Sequence, residues 1–120
     1  MPDTLFISDL HLDPERPAIT DLFLDFLARR AIRSEALYIL GDLFEAWIGD
    51  DDSSPMNEAV CHGLKTCAEA GTPVFVMRGN RDFLLGAAFA GQCACTLLDD
   101  AVRIDLYGIP TLLMHGDTLC

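Results

Sequence analysis

Aspartate, histidine, asparagine and arginine gather at four short polar breaks in this chain. Asp9 and His11 are separated by one residue, and Asp42 follows Gly41. Asn80, Arg81 and Asp82 follow Gly79, and His115 and Asp117 flank Gly116. Two carboxylates (Asp9, Asp42), two imidazoles (His11, His115) and an amide oxygen (Asn80) suit borderline to hard divalent ions such as Mn2+, Fe2+ or Zn2+ better than soft ones. A carboxylate on a tight Gly-Asp turn can bridge two ions, because its two oxygens face different directions. Two ions about 3.5–4 Å apart activate water and clamp the oxygens of an in-line phosphoryl displacement. Asn80 can ligate through its carbonyl oxygen while its NH2 meets a phosphate oxygen. Arg81 adds a planar, permanently charged fork for the same phosphate.

Each piece alone has an ordinary reading: Gly-Asp and Gly-Asn are turn pairs, and a single histidine often sits satisfied at a core edge. Their weight comes from the elements that must position them. The apolar pattern predicts strands over 4–8, 36–40 and 73–77, and a hairpin of 102–106 and 109–114 around Tyr107-Gly108. Helical spacing of Ile19, Phe23, Phe26 and Leu27 predicts a helix over 18–33, with Asp21 and Asp25 near its start and Arg29, Arg30 and Arg33 near its end. Ser54-Pro55 opens a second helix, as cap and first-turn proline, which runs to about 70 and stops at Gly71. A short helix is expected over 83–90. This βαβαβ alternation implies an α/β fold with a parallel sheet, to which the hairpin makes an antiparallel addition. Ligands of such sheets gather beyond the carboxyl ends of the strands. Each group of candidate ligands follows its own strand.

Bulk composition narrows the function classes. The 120 residues carry 19 Asp+Glu against 8 Lys+Arg, a net charge of −11, yet 51% of the chain is apolar. That excludes disorder, which requires low hydrophobicity. It also argues against nucleic acid as a partner, since a polyanion is repelled unless cations intervene. The start, Met1-Pro2-Asp3-Thr4, has no basic and apolar leader pattern, and the longest nearly unbroken apolar run, 83–90, is too short to span a membrane. The 5 cysteines are odd in number and lack C-x-x-C spacing, so reduced cytosolic thiols are expected. Cys93 and Cys95 are expected to share one face of a strand as packing residues. His62, inside the second helix, is expected at the surface. Asp50, Asp51 and Asp52 read as a solvated loop, and Phe44 and Trp47 as packing side chains rather than an acyl-chain entrance. Asp117 reads as an orienting group for His115, and Glu45 as an exposed residue with no role.

The segments Asp9-Leu10-His11, Gly41-Asp42, Gly79-Asn80-Arg81-Asp82 and His115-Gly116-Asp117 together resemble the calcineurin-like metallophosphoesterases. The longer segments 41–51, 79–84 and 113–120 are similar to the UDP-2,3-diacylglucosamine diphosphatase family, bacterial hydrolases of the lipid A pathway. The resemblance covers essentially the whole chain. It implies a four-layer αββα sandwich, of which residues 1–120 form the N-terminal portion. It further implies hydrolysis of UDP-2,3-diacylglucosamine to UMP and 2,3-diacylglucosamine 1-phosphate with two Mn2+, by a cytoplasmic protein resting peripherally on the inner membrane. By motif, Asp9 and His11 hold the first ion, Asp42 bridges, and Asn80 and His115 hold the second. Asp42, Asn80 and Arg81 then carry the catalytic role, Asn80 and Arg81 also meeting substrate.

Two departures qualify the resemblance. Many relatives in the wider superfamily have Gly-Asn-His where this chain has Arg81, and that histidine can protonate a leaving oxygen. Arginine cannot donate a proton near neutral pH, so Arg81 suits a leaving group that is already good, such as a sugar phosphate released from a pyrophosphate. The family's Gly-His-x-His segment and its helical lid are absent from the sequence, and His62 does not replace them; the chain alone is expected to be inactive. Other readings remain open at this stage: a different dinuclear phosphodiesterase or nucleotide-sugar hydrolase, a non-catalytic scaffold of the same fold, or a phosphoacceptor receiver domain. Against the last stands Asp-x-His, where such domains resemble one another in an adjacent acidic pair.

Overall fold

The computed structural model describes residues 4–45, 54–77, 86–98 and 101–114. Four strands, β1 (Thr4–Ile7), β2 (Ala36–Leu40), β3 (Val74–Met77) and β4 (Cys95–Leu98), form one sheet in the order β1-β2-β3-β4. All three pairings are parallel, with Ile7 opposite Ile39, Leu40 opposite Met77, and Val74 opposite Cys95. Parallel neighbours require crossovers, and these are α1 (Pro17–Arg29), α2 (Pro55–Glu69) and α3 (Ala87–Cys93). The hairpin of β5 (Ala101–Leu106) and β6 (Ile109–Met114) follows.

One face of the sheet makes the core. Leu37, Ile39, Val74 and Val76 are buried against Phe23 and Leu27 of α1, Val60, Leu64 and Cys67 of α2, and Phe89 and Cys93 of α3. All three crossover helices therefore share that face. The opposite face carries an aromatic row, in which Phe6 stacks on Tyr38 at 5.1 Å and Tyr38 on Phe75 at 4.7 Å. At the hairpin tip, Tyr107 and Thr4 share a side-chain hydrogen bond of 2.7 Å. No helix among the described residues is long and apolar enough to cross a membrane.

The second helix forms for the local reasons its sequence advertises. Ser54 Oγ accepts from the Asn57 amide, Pro55 takes the first position, and Gly71 adopts φ 105°. The Gly71 amide then donates to Ala68 O and the Thr72 amide to Cys67 O, a glycine-dependent stop that satisfies the terminal carbonyls. The first helix ends earlier than expected. It stops at Arg29, and a 3-10 turn over Ala31–Arg33 follows, closed by Ser34 Oγ donating to Ala31 O. The buried series Phe23, Leu27, Ala31 runs through that change of helix type, so apolar spacing alone does not reveal it. Asp21 lies beyond the first turn, which holds no acidic residue; Asp25 pairs with Arg29 at 2.7 Å.

The third crossover differs more. The helix expected over 83–90 occupies Ala87–Cys93, and Ala94 takes a left-handed conformation (φ 56°) that sends the chain directly into β4. Cys93 and Cys95 are thus a helix end and a strand start, not partners on one strand face. The sheet gains a fourth parallel strand, and among the described residues the hairpin pairs only with itself, rather than adding to that sheet. The cysteine expectation also changes: Cys61 of α2 and Cys93 of α3, far apart in sequence, form a disulfide, with Cα atoms 4.6 Å apart. Helix packing makes that pairing, and no spacing rule announces it. Cys67 and Cys95 are free; burial pushes both thiols up, that of Cys95 to about 11.

A thiol ionises less when its pKa rises, and the thiolate is the nucleophile. At pH 8 about one Cys95 in a thousand is ionised. Native, unreduced chain treated with iodoacetamide at pH 8 is therefore expected to label Cys67 and Cys95 slowly, and Cys61 and Cys93 only after reductant. Peptide mass mapping checks this, and prompt labelling of Cys61 would contradict the pairing.

Candidate metal centre

The segments leaving β1 and β2 at their carboxyl ends run side by side and are laced by backbone bonds. The Asp9 amide donates to Gly41 O at 3.2 Å, the His11 amide to Asp42 O at 2.9 Å and the Leu12 amide to Leu43 O at 2.9 Å. The Glu45 amide returns a bond to Leu12 O at 2.9 Å, completing a parallel bridge between Leu12 and Phe44. Leu12, Leu43 and Phe44 anchor this pair of segments in the core, and Phe44 meets Phe89 edge-on at 6.0 Å. Phe44 is thus a packing residue, as expected.

Three ligand-type residues on these segments carry positive φ: Asp9 at 57°, His11 at 49° and Asp42 at 52°. Left-handed backbone costs an L-residue about 1–2 kcal/mol, somewhat less for aspartate. Such outliers persist only where surrounding structure over-determines them, and they cluster at functional sites. Here the strained turns aim all three side chains into one place. One ligand atom from each of Asp9, His11 and Asp42 lies within 4.8 Å of the others. His11 Nε2 is 3.9 Å from Asp9 Oδ1 and 4.0 Å from Asp42 Oδ2. Two oxygen or nitrogen ligands of one first-row ion lie at most about 4.4 Å apart, given bonds of about 2.0–2.2 Å. The set fits a divalent cation in its chemistry, and both distances from His11 Nε2 fall within the reach of one ion.

Burial is graded across the set. Asp42 is buried, His11 is half-buried and Asp9 is exposed. A buried carboxylate beside a second one requires a compensating cation or donors, whereas the exposed Asp9 leaves the site open to solvent on one side. The far nitrogen of the imidazole has its own neighbour: His11 Nδ1 lies 3.4 Å from Glu45 Oε2. Glu45, expected to be idle, therefore belongs to the site. Its signal in the sequence was its position three residues beyond Asp42, on the segment that pairs with Leu12. His62 is exposed on α2, as expected, and is not part of the Asp9–His11–Asp42 cluster. Asn80, Arg81 and His115, the other candidate ligands and phosphate contacts, lie outside the described residues, as do Trp47, Asp50, Asp51, Asp52 and Asp117.

The parallel α/β sheet thus brings an Asp-x-His pair and a Gly-Asp turn together at its carboxyl edge as a candidate divalent-metal centre. The Calcineurin-like phosphoesterase family profile matches residues 3–118, and the chain belongs to that family. Its relatives include a UDP-2,3-diacylglucosamine hydrolase of Xanthomonas campestris pv. campestris (strain B100), 65% identical over 117 residues that make up 98% of this chain and 47% of the relative. A protein of the same name from Stenotrophomonas maltophilia (strain K279a) is 62% identical over the same shares. One from Pseudomonas aeruginosa (strain UCBPP-PA14) is 60% identical over 97% of this chain and 48% of the relative. The chain spans about half the length of these curated relatives.

Replacing Asp9 or Asp42 by Asn keeps a side chain that tolerates left-handed backbone while removing the charge. Mn2+ or Co2+ is expected to raise the Tm of the unaltered chain progressively, with the logarithm of its concentration once that exceeds the dissociation constant. Asp9→Asn and Asp42→Asn should each lose that gain without lowering the metal-free Tm. Thermal melts with and without the ion check this.

Proposed function

We propose that this protein hydrolyses the pyrophosphate bond of UDP-2,3-diacylglucosamine to UMP and 2,3-diacylglucosamine 1-phosphate, a lipid A biosynthetic step, using two Mn2+. The observation that carries the reading is the meeting of Asp9, His11 and Asp42 at the carboxyl edge of the sheet. The identity of 65% to a UDP-2,3-diacylglucosamine hydrolase supports the choice of substrate.

Bound divalent ions supply Lewis acidity towards phosphoryl oxygens and an activated water. The chain's own residues hold and orient. Asp9 and His11 would hold one ion, Asp42 would be shared between two, and Asn80 and His115 would hold the second. Asn80 and Arg81 engage substrate phosphate, with Arg81 neutralising charge that builds on the departing phosphate. Because Arg81 holds its proton, this role fits a leaving group that departs as an anion unaided. In this reading the chain contributes five ligands: Asp9, His11, Asp42, Asn80 and His115. The acidic surface, net −11, is reconciled with an anionic substrate by the ions and Arg81, which make the site locally positive. In the same reading the protein acts at the cytoplasmic face of the inner membrane, where a diacylated substrate resides.

Fusing residues 1–120 to the remaining half of the Xanthomonas campestris relative tests this. The fusion is expected to release UMP from UDP-2,3-diacylglucosamine in a Mn2+-dependent manner, read by 31P NMR, while the 120-residue chain alone binds Mn2+ weakly and releases none. Asp42→Asn in the fusion should lower turnover more than about 100-fold, and Arg81→His about 100-fold, the loss typical of one charge-stabilising donor. UDP as the product, or unchanged turnover by Arg81→His, would contradict the assignment.

A further inference from the structure

His11 presents two nitrogens to two different environments. Nε2 faces the carboxylates of Asp9 and Asp42, at 3.9 and 4.0 Å. Nδ1 is shut off from solvent and makes no hydrogen bond among the described residues, with Glu45 Oε2 standing 3.4 Å away. A neutral imidazole has one N–H and one lone pair, and the partner of one nitrogen decides which is which. To ligate a cation between Asp9 and Asp42, Nε2 must carry the lone pair, so the buried Nδ1 must carry the proton. A buried N–H without an acceptor is unfavourable. Glu45 Oε2 is the acceptor in reach.

We propose that Glu45 is the positioning residue of His11: its carboxylate accepts the Nδ1 proton and holds Nε2 as the lone-pair nitrogen aimed between Asp9 and Asp42. The backbone makes this placement firm. The Glu45 amide donates to Leu12 O, immediately after His11, so the carboxylate and the imidazole spring from two strands of one bridge. Glu45 is part-exposed, its side chain 36% accessible, and its Oε2 stands 3.4 Å from Nδ1. Carboxylates behind metal-binding histidines fix the tautomer and raise ligand basicity. The proposal rests on the metal-centre reading, and not on the identity of the substrate.

The test uses the 120-residue chain and two variants, Glu45→Ala and Glu45→Gln, the latter retaining an acceptor oxygen. Long-range 15N–1H correlation of the imidazoles in alkaline, metal-free buffer reports the tautomer, with His11 assigned by loss of its signals in His11→Gln. The unaltered chain is expected to show His11 protonated at Nδ1, Glu45→Ala to shift towards Nε2–H, and Glu45→Gln to restore Nδ1–H. Calorimetry with Co2+ should show affinity about 10- to 100-fold weaker for Glu45→Ala and largely recovered by Glu45→Gln. A His11 tautomer indifferent to Glu45, or Co2+ affinity unchanged in Glu45→Ala, overturns the proposal. A tautomer that follows Glu45 in a chain that binds no Co2+ sustains the positioning role and overturns the metal-centre reading instead.

Discussion

The backbone lacing between the segments that leave β1 and β2 is the constraint on which the site depends. Its four hydrogen bonds join Asp9 to Gly41, His11 to Asp42, Leu12 to Leu43 and Glu45 to Leu12, and they prolong the parallel pairing beyond the strands proper. Pairing at that point forces Asp9, His11 and Asp42 into left-handed backbone, at about 1–2 kcal/mol each. Burial of Leu12, Leu43 and Phe44 stabilises the same segments by about 1.5–3 kcal/mol per side chain, which outweighs the strain. The core thus holds three ligand-type residues in a shape they would not adopt alone. Rigid placement of this kind is what metal ligation needs, because an ion then finds its donors already gathered.

Charge and burial complete the logic. Asp42 is buried beside a half-buried imidazole, and Asp9 completes the cluster from the solvent side. The arrangement is locally anionic and receptive to a cation, although the chain as a whole is already strongly acidic. The general acidity reads as solvated surface, whereas these two aspartates meet in one cluster whose two negative charges a divalent ion would neutralise. Family membership and the sheet's parallel architecture agree with that division.

Much of this was legible in the sequence, and the exceptions have physical causes. The parallel sheet followed from the alternation of short apolar runs with helical spacing. The second helix was marked at both ends, by Ser54-Pro55 and by Gly71. Asp9, His11 and Asp42 stood out because each falls where a strand ends. The early stop of the first helix was hidden, since Ala31 keeps the apolar spacing while the backbone tightens into a 3-10 turn. The fourth strand was hidden by the left-handed Ala94, a conformation that sequence rules assign to glycine or asparagine. The Cys61–Cys93 pairing and the approach of Glu45 to His11 both arise from packing between distant segments, which no local pattern encodes.

The central claim is that the two laced segments create a divalent-cation site from Asp9, His11 and Asp42. Crystals of the chain grown with Mn2+, measured on either side of the manganese absorption edge, test it most directly. The account predicts an anomalous peak among the three side chains, about 2.0–2.2 Å from Asp9, His11 Nε2 and Asp42. A peak only elsewhere, or none at saturating Mn2+, would contradict it.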